Sequence, residues 1–454
     1  MAPENGCLPG PSDNDPLKIR GSPVAKKEDG MDKKVENPLS VADSPALDSD
    51  VKAPGLWGTS EERSVVLDFE ISEFEERVRK THQRMEERGI GLLIVTDPSN
   101  IAWLTGYDGW SFYVHQCVLL PVDDMPIWFG RGADANGAKL TTFLPFSRII
   151  SYPDHYVQNY SIHPMDFLAD MIKGYGWHTR TTAVEMDNYY FSAKCFMSLQ
   201  HNLPDANFVD AESMVNWLRA VKSEQEIAYM RKAARLVEAM HKRAFEIIEP
   251  GLRKKDLVAE LYYTGIKGLD DDGGDYPAIV PLVSTGREAS APHITSDDTP
   301  ICSGDVTFFE VAGCYKRYHC PLARSVFLGT PPDHIRRAEV ALLESMEKAM
   351  DVARAGNLCE DIANTFLAGL REHGFDKMQR CGYSVGLSYP PDWGERTMSI
   401  RPGETIELQE NMTFHFMPGL WYDDWGIEIT ETIRITDGAP ECLADVPRPL
   451  LVKD

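Results

Sequence analysis

The sequence has no apolar run long enough to cross a bilayer, which argues against a membrane-spanning helix and a membrane role. Its N-terminus, MAPENGCLPGPSDND, has neither the basic start nor the apolar segment of a secretory signal. CxxC pairs are absent, and the nine cysteines are scattered and odd in number. That pattern predicts reduced thiols in a cytoplasmic protein rather than a disulfide framework. Positive charge is also short: 46 Lys and Arg stand against 70 Asp and Glu, a net charge of −24. A nucleic-acid partner would want a basic face, so none is expected.

What is present is enough for more than one core. A chain of 454 residues with 43% hydrophobic content predicts two domains. Residues 1–62 are rich in Pro, Gly, Ser, Asp and Lys and poor in large apolar residues, which predicts a disordered tail. Folding is expected to begin near Leu67. Ser72 and Glu75 have the spacing of a capping box for a helix through Arg88, with Gly89 ending it. The run GLLIVTD reads as a buried strand, and strands and helices alternate to about Asp210. Residues 63–212 therefore read as an α/β domain with a mixed or parallel sheet. DPSNIAWLTGYDG is expected to be the loop leaving the first strand. Its Trp103 and Tyr107, with Trp110 and Tyr113 beyond, are either core or contacts to a second copy.

From residue 213 the pattern changes. VNWLRAVKSEQEIAYMRKAARLVEAMHKRAFEII reads as one long helical region stopped by Pro250-Gly251, and a second helix runs from Arg253 to about Gly268. Two further helices lie between Pro332 and His373, and the end of the chain is strand and turn. Residues 213–454 thus read as an α+β domain, with helices on a curved antiparallel sheet.

Within it, GDVTFFEVAGCYKRYHCPLARS reads as a strand, a tight Gly-Cys turn and a return strand. Glu310 lies in a nearly all-apolar strand, where an ionised carboxylate costs several kcal/mol unless paired or hydrogen-bonded. It is therefore either a structural partner of Arg324 or Arg317, or it faces a cavity that takes a cation.

WLRAVKSEQEIAYMRKAARL, SAPHI, GD-x-T-F-F-E, R-Y-x-x-x-L-A-R-S and GIEITETI occur in the order seen in the creatinase/prolidase/aminopeptidase P family. The chain resembles that family from about Leu67 to its end. The resemblance implies a creatinase-like α/β N-terminal domain and a pita-bread α+β C-terminal domain. Within the family, DYPAIVPL, SAPHIT, FFEVAGCYKRYHCPLARSVFLG, CEDIAN, GLSYPPDWGERTMS, MTFHFMPGLW and EITETI resemble the ectoine hydrolases.

The departures are informative. The metallopeptidases of this fold hold two metal ions with two Asp, one His and two Glu. Those positions are here Glu310, Pro321, Tyr383, Met417 and Thr430. Pro and Met cannot supply the oxygen or imidazole ligands such ions need, so no catalytic metal and no cofactor is expected. The resemblance implies a cytoplasmic hydrolase that opens the cyclic amidine ring of ectoine to N-acetylated 2,4-diaminobutyrate. Glu310 would be nucleophile or general base, with the amidinium as its counter-charge. His293, in APHI, matches the family's proton-shuttling histidine.

Other assignments follow. Tyr383 stands at a former metal-ligand position and is expected to donate a hydrogen bond in catalysis. Glu428 and Thr430 point one way along the last strand and Glu431 the other. Glu428 is expected to be catalytic and Glu431, like His415, to contact substrate, with a pairing of one of the two glutamates to Arg324 as the structural alternative. Arg324 or Arg396 would grip the substrate carboxylate. Tyr389, Trp393 and Trp421 suit an aromatic box around a cationic ring, and His415 lies on the same face of its strand as Met417. A homodimer and a downstream deacetylase are implied by the resemblance alone, which leaves hydroxyectoine use open. Two rival readings share the fold: a metal-dependent Xaa-Pro dipeptidase or aminopeptidase, and a non-catalytic pita-bread binding module.

Overall fold

The computed structural model describes residues 65–270 and 272–453, so the tail expected over residues 1–62 lies outside the described residues. Helix α1 runs Ile71–Glu87 and starts one residue before the expected cap: the residue preceding it is Glu70, whose side chain makes no capping bond. Ser72 is therefore inside the helix. Gly89 ends the turn at φ +64°, as expected.

The first domain then alternates. Its elements are β1 (Leu92–Val95), α2 (Pro98–Thr105), β2 (Cys117–Pro121), β3 (Ile127–Arg131), α3 (Ala135–Thr141) and β4 (Ile149–Tyr152). After these come α4 (Pro164–Gly174), β5 (Thr181–Val184), α5 (Ala193–Asn202), β6 (Asn207–Asp210) and α6 (Met214–Leu218). The six strands form one mixed sheet in the order β4-β3-β2-β1-β5-β6, with β1 antiparallel to β2 and parallel to β5. The LLIV run of β1 is buried throughout, which is why it reads as continuously apolar rather than alternating.

The expected single long helix is two. α6 stops at Leu218, and α7 (Glu224–Ile247) begins afresh behind Ser223, whose side chain accepts from the Glu226 amide while Glu226 bonds back to the Ser223 amide. That capping box was present in KSEQE. The break inserts two buried cations between the domains. Lys222 Nζ donates to Glu395 Oε2 at 2.6 Å, and Arg219 Nη1 donates to Asn100 Oδ1 at 2.7 Å. Arg219 also donates to the Leu387 carbonyl, and Asn216 Nδ2 to the Glu395 carbonyl at 3.0 Å. The junction between α6 and α7, tied to Asn100 of the first domain through Arg219, thereby holds the 387–395 segment.

The second domain continues with α8 (Lys254–Lys267), β7 (Leu282–Thr285), β8 (Val306–Tyr315), β9 (Tyr318–Leu328), α9 (Asp333–Met350) and α10 (Cys359–Glu372). It ends with β10 (Gly382–Val385), β11 (Gly394–Ile400), β12 (Thr413–Phe416), β13 (Gly419–Trp421), β14 (Gly426–Glu428), β15 (Glu431–Arg434), β16 (Glu441–Cys442) and β17 (Leu451–Lys453). Instead of one curved sheet there are three: β17-β9-β8-β7, β11-β10-β12-β15-β16 and the short ribbon β13-β14. All neighbours are antiparallel except β17 on β9.

The β8–β9 hairpin differs from expectation in an instructive way. Its turn is Lys316-Arg317, both at positive φ (+51° and +64°), with Tyr315 opposite Tyr318. Positive φ at both central residues is a primed hairpin turn. Arg317 is held there by distant partners. Its amide donates to Asp275 Oδ2 at 3.0 Å, and its guanidinium stacks 3.8 Å from the Tyr276 ring centre. Gly313 is inside the strand because α7 passes against it: a Cβ there would lie 1.9 Å from the Ala233 carbonyl oxygen. Gly313→Ala is expected to cost more than about 3 kcal/mol of stability or to prevent folding. Gly174→Ala, where an added Cβ meets nothing within 4 Å, is expected to be near neutral. Thermal unfolding of the two variants checks this contrast.

Candidate active site

Four strand segments converge on Glu310. In β8 it stands opposite Ala323 of β9, whose amide donates to Thr430 Oγ1 at 2.7 Å just before β15. β12 brings His415 and β10 brings Tyr383, which are cross-strand partners. Glu310 is 5% exposed. Among the described residues no Lys or Arg lies within ion-pair reach of it, and the nearest basic group is His415 Nδ1 at 3.8 Å. Burial, and then the Asp392 charge, push the Glu310 carboxyl up to about 7.

His415 is fully buried, and burial pushes its imidazole down to about 3. It is therefore neutral near pH 7 and is a hydrogen-bonding neighbour of Glu310, not its counter-ion. Its Nε2 lies 2.8 Å from Thr430 Oγ1 and its Nδ1 3.2 Å from Tyr383 Oη. Thr430 Oγ1 already accepts from the Ala323 amide, so its own proton is free for Nε2. We assign the ring proton to Nδ1 on this ground, which points it at Tyr383 Oη and Glu310. Tyr383 Oη also accepts from Trp393 Nε1 at 2.8 Å. With both of those bonds accepted, the Tyr383 proton is left to donate.

Glu428, at the end of β14, is 1% exposed, and its Oε2 has no hydrogen-bond partner. Burial, then the Glu310 charge, push it well above the usual carboxylate range. Lys377 opposes that rise. It is 5% exposed, donates to the Gly419 carbonyl at 3.0 Å, and lies 3.9 Å from the Trp421 ring centre. Burial pulls its ammonium down to about 8 against the pull of Cys381 and Glu428. Asp392 is half-buried, and the exposed Arg380 stacks 4.2 Å from the Tyr383 ring centre.

Several sequence-derived assignments are relocated. Arg324 does not grip a substrate: it donates to Glu431 Oε1 (2.7 Å) and to the Val446, Pro447, Ala323 and Thr430 carbonyls. Every N–H direction is spent on the protein. Glu431, facing away from Glu310 as the strand period requires, takes Arg324 and Arg448 (2.9 Å) on Oε1. Neither Arg324 nor Arg317 pairs with Glu310, because both are committed elsewhere. Tyr389 leaves the aromatic box, its hydroxyl donating to Asp108 Oδ1 of the first domain at 2.7 Å. Trp393 is fully buried and serves Tyr383, while Trp421 is half-buried beside Lys377. Arg396 pairs with Asp187 at 2.9 Å.

His293 is exposed in a turn and makes no hydrogen bond or ion pair with the described residues. Its loop is nonetheless close to the ribbon. The 3-10 turn Gly286–Ser290 precedes it, and Ala289 O would lie 1.9 Å from a Cβ on Gly426, at the start of β14. Lys254, 1% exposed at its side chain, ties both ends of this loop through Glu288 (2.5 Å) and Asp297 (2.8 Å).

The five family metal positions do not fit a dinuclear centre. Of Glu310, Pro321, Tyr383, Met417 and Thr430, only the first is a carboxylate, and the Tyr383 and Thr430 oxygens already accept protein hydrogens. One group of three possible ligands occurs elsewhere among the described residues, His115, His163 and Cys195 in the first domain. His163 Nδ1 is used there to cap α4, accepting from the Met165 amide at 3.1 Å.

The sequence reading missed Lys377, Arg380 and Asp392. Asp392 lies inside the unusual block GLSYPPDWGERTMS, which was the available signal. Nothing in FDKMQR distinguishes Lys377 from a surface lysine.

Residues 77–221 match the creatinase/prolidase N-terminal domain, and residues 228–437 match metallopeptidase family M24. Over 396 residues the chain is 55% identical to an ectoine hydrolase of Halomonas elongata, covering 86% of this chain and 99% of that protein. Among solved structures it resembles the prolidase of Thermococcus sibiricus, with a TM-score of 0.73 at 20% identity over 84% of this chain and 99% of that one. It also resembles the N-terminal domain of the FACT complex subunit SPT16 from chickpea, with a TM-score of 0.68 at 15% identity over 85% of this chain and 100% of that one. At those identities the two structures speak for the fold alone.

The raised Glu310 carboxyl has a stability consequence. Its folded value, about 7, exceeds the ordinary 4.5, so its stability contribution is intact below pH 4.5 and is lost as pH rises to about 7. Above that, the ionised group costs about 3 kcal/mol. Glu310→Gln is therefore expected to melt higher than the natural protein at pH 8, with the gap closing towards pH 4. A variant no more stable at pH 8 would mean that Glu310 is not the uncompensated carboxylate described.

Proposed function

This chain belongs to the creatinase/prolidase family, with an M24 domain following a creatinase-type N-terminal domain, and from that premise we propose that it hydrolyses ectoine. The observation that carries the reading is Glu310: a buried carboxylate without a cationic partner, at a position where the metallopeptidases place a metal ligand. An amidinium ring is the counter-charge such a site lacks. The likeness to an ectoine hydrolase over nearly that protein's full length supports the same substrate.

The chemistry is that of a metal-free ring opening. A Glu310 carboxylate oxygen bonds to the ring carbon between the two nitrogens. One carbon–nitrogen bond then breaks, its electrons going to the departing nitrogen, which takes a proton. Water attacks the resulting imidate carbon and Glu310 leaves as carboxylate. The product is an N-acetyl-2,4-diaminobutyrate, and one water is consumed. The alternative within the same site has Glu310 deprotonate the water, with no covalent adduct. The uncommitted Tyr383 proton is placed to bond the substrate, and Glu428 supplies a second carboxyl. His293, exposed on the loop that follows Ala289, is the proton relay on the family resemblance. The family resemblance adds a cytoplasmic homodimer to this reading. A deacetylase consumes the product.

Proton NMR of ectoine with the full chain, with and without EDTA and with Glu310→Ala, tests this. Ring opening that survives EDTA and disappears in the variant is expected. Opening abolished by EDTA would replace the metal-free route with a metal-dependent one. No opening in any sample would leave the non-catalytic module in its place.

A pH profile tests the ionisation. Since Glu310 must be ionised to attack, kcat/KM is expected to rise tenfold per pH unit up to about 7 and then level. Asp392→Asn removes a charge that raises Glu310 and is expected to move that limb to lower pH. A limb unmoved in the variant would assign it to another group.

A further inference from the structure

Beside Glu310 there is a second cluster that the assignments above leave without a task. Lys377 Nζ reaches across to the Gly419 carbonyl, and Gly419 is the direct cross-strand partner of Glu428. Trp421 lies on the same short ribbon. Trp421 and Glu428 both press on Gly419, where a Cβ would lie 2.8 Å from the Trp421 ring and 3.4 Å from Glu428 Cγ, and Lys377 Nζ lies 3.9 Å from the Trp421 ring centre. Only a glycine leaves that space open.

The hydrogen-bond accounting there is incomplete. Lys377 is 5% exposed and has three N–H groups, yet it makes one hydrogen bond. Trp421 Nε1 is buried with no acceptor, and Glu428 Oε2 is buried with no donor. Buried polar groups are normally satisfied, so donors and an acceptor left over around one glycine point to a ligand that completes them. A neighbouring pair of donors, one of them cationic, fits a carboxylate. The leftover acceptor beside them, with Glu310 beyond, fits the N–H edge of a cation. Arg324, the alternative grip, is wholly engaged by the protein.

We propose that Lys377 and the Trp421 indole N–H form a carboxylate subsite, which selects cyclic amidines bearing a carboxylate over those without one. This rests on the ectoine reading and deepens it. The subsite fixes which way round the ring lies: carboxylate towards β13, amidinium towards Glu310 and Glu428.

The test compares ectoine with the same tetrahydropyrimidine ring lacking its carboxylate, by turnover and by calorimetric binding, on the full chain. The natural protein is expected to prefer ectoine by about 10- to 100-fold, the range of one or two charged hydrogen bonds. Lys377→Met is expected to erase most of that preference. Lys377→Arg is expected to keep part of it. Trp421→Phe, which keeps the ring and removes the N–H, is expected to reduce the preference about 10-fold. A purely structural lysine would lower activity on both rings alike. If Lys377→Met and Trp421→Phe both keep the natural preference, the subsite is wrong while the hydrolase reading stands. If ectoine binds without opening, the hydrolase reading falls and the binding preference judges the subsite. If the natural protein neither binds nor opens either ring, both are overturned.

Discussion

Arg324 is the interaction on which the second domain depends. It lies in β9, in the first of the two larger sheets, and its guanidinium reaches Glu431 in the second sheet and two carbonyls of the C-terminal segment. Two sheets and the chain end are thus joined by one planar group with five donors. Such a pair is only weakly favourable in net terms, since both ions leave water, but removing one partner strands the other at a cost of about 3–5 kcal/mol. Arg448 adds a second cation to the same Glu431 oxygen. The fold therefore spends its strongest buried cation on architecture.

That allocation shapes the chemistry. Glu431 is neutralised on one face of its strand, and the period of two puts Thr430 on the other, beside His415. Glu428, at the end of the preceding strand, is near enough to Glu310 for the Glu310 charge to disfavour its ionisation, after burial itself. The site is then acidic, buried and short of cations apart from Lys377 at its edge. A carboxylate in such surroundings is a strong attractor for a flat cation and a poor one for a neutral peptide. Of the five positions where the metallopeptidases of this fold place ligands, only Glu310 is a carboxylate here.

Much of this was legible. The alternation of apolar runs and helical segments marks out both domains, and the five family metal positions read directly as Glu, Pro, Tyr, Met and Thr. The period-two rule separated Glu431 from Thr430 correctly. What local pattern could not reach was set by distant partners. Gly313 looks like a turn residue, but its bareness serves Ala233 of α7, far earlier in the chain. Arg324 looks like a ligand for substrate because nothing in LARS reveals the carbonyls of Val446 and Pro447 that take its protons. Lys377 looks like any surface lysine. Its burial depends on the ribbon folding over it, a contact between segments some forty residues apart.

The seam between the domains has a consequence for how the molecule can be divided. Lys222 and Glu395 are each about 1% exposed at the side chain, and Arg219 and Asn216 hold the main chain of the same loop. That loop carries Asp392 and Trp393 into the site. A fragment starting after residue 223 would keep every residue that faces Glu310, yet would leave Glu395 buried without its cation and the loop without its supports. The first domain is thus part of the scaffold of the reaction centre, and the two halves form a single unit of inheritance: recombination at the apparent domain boundary would separate residues that never meet the substrate from the geometry they maintain.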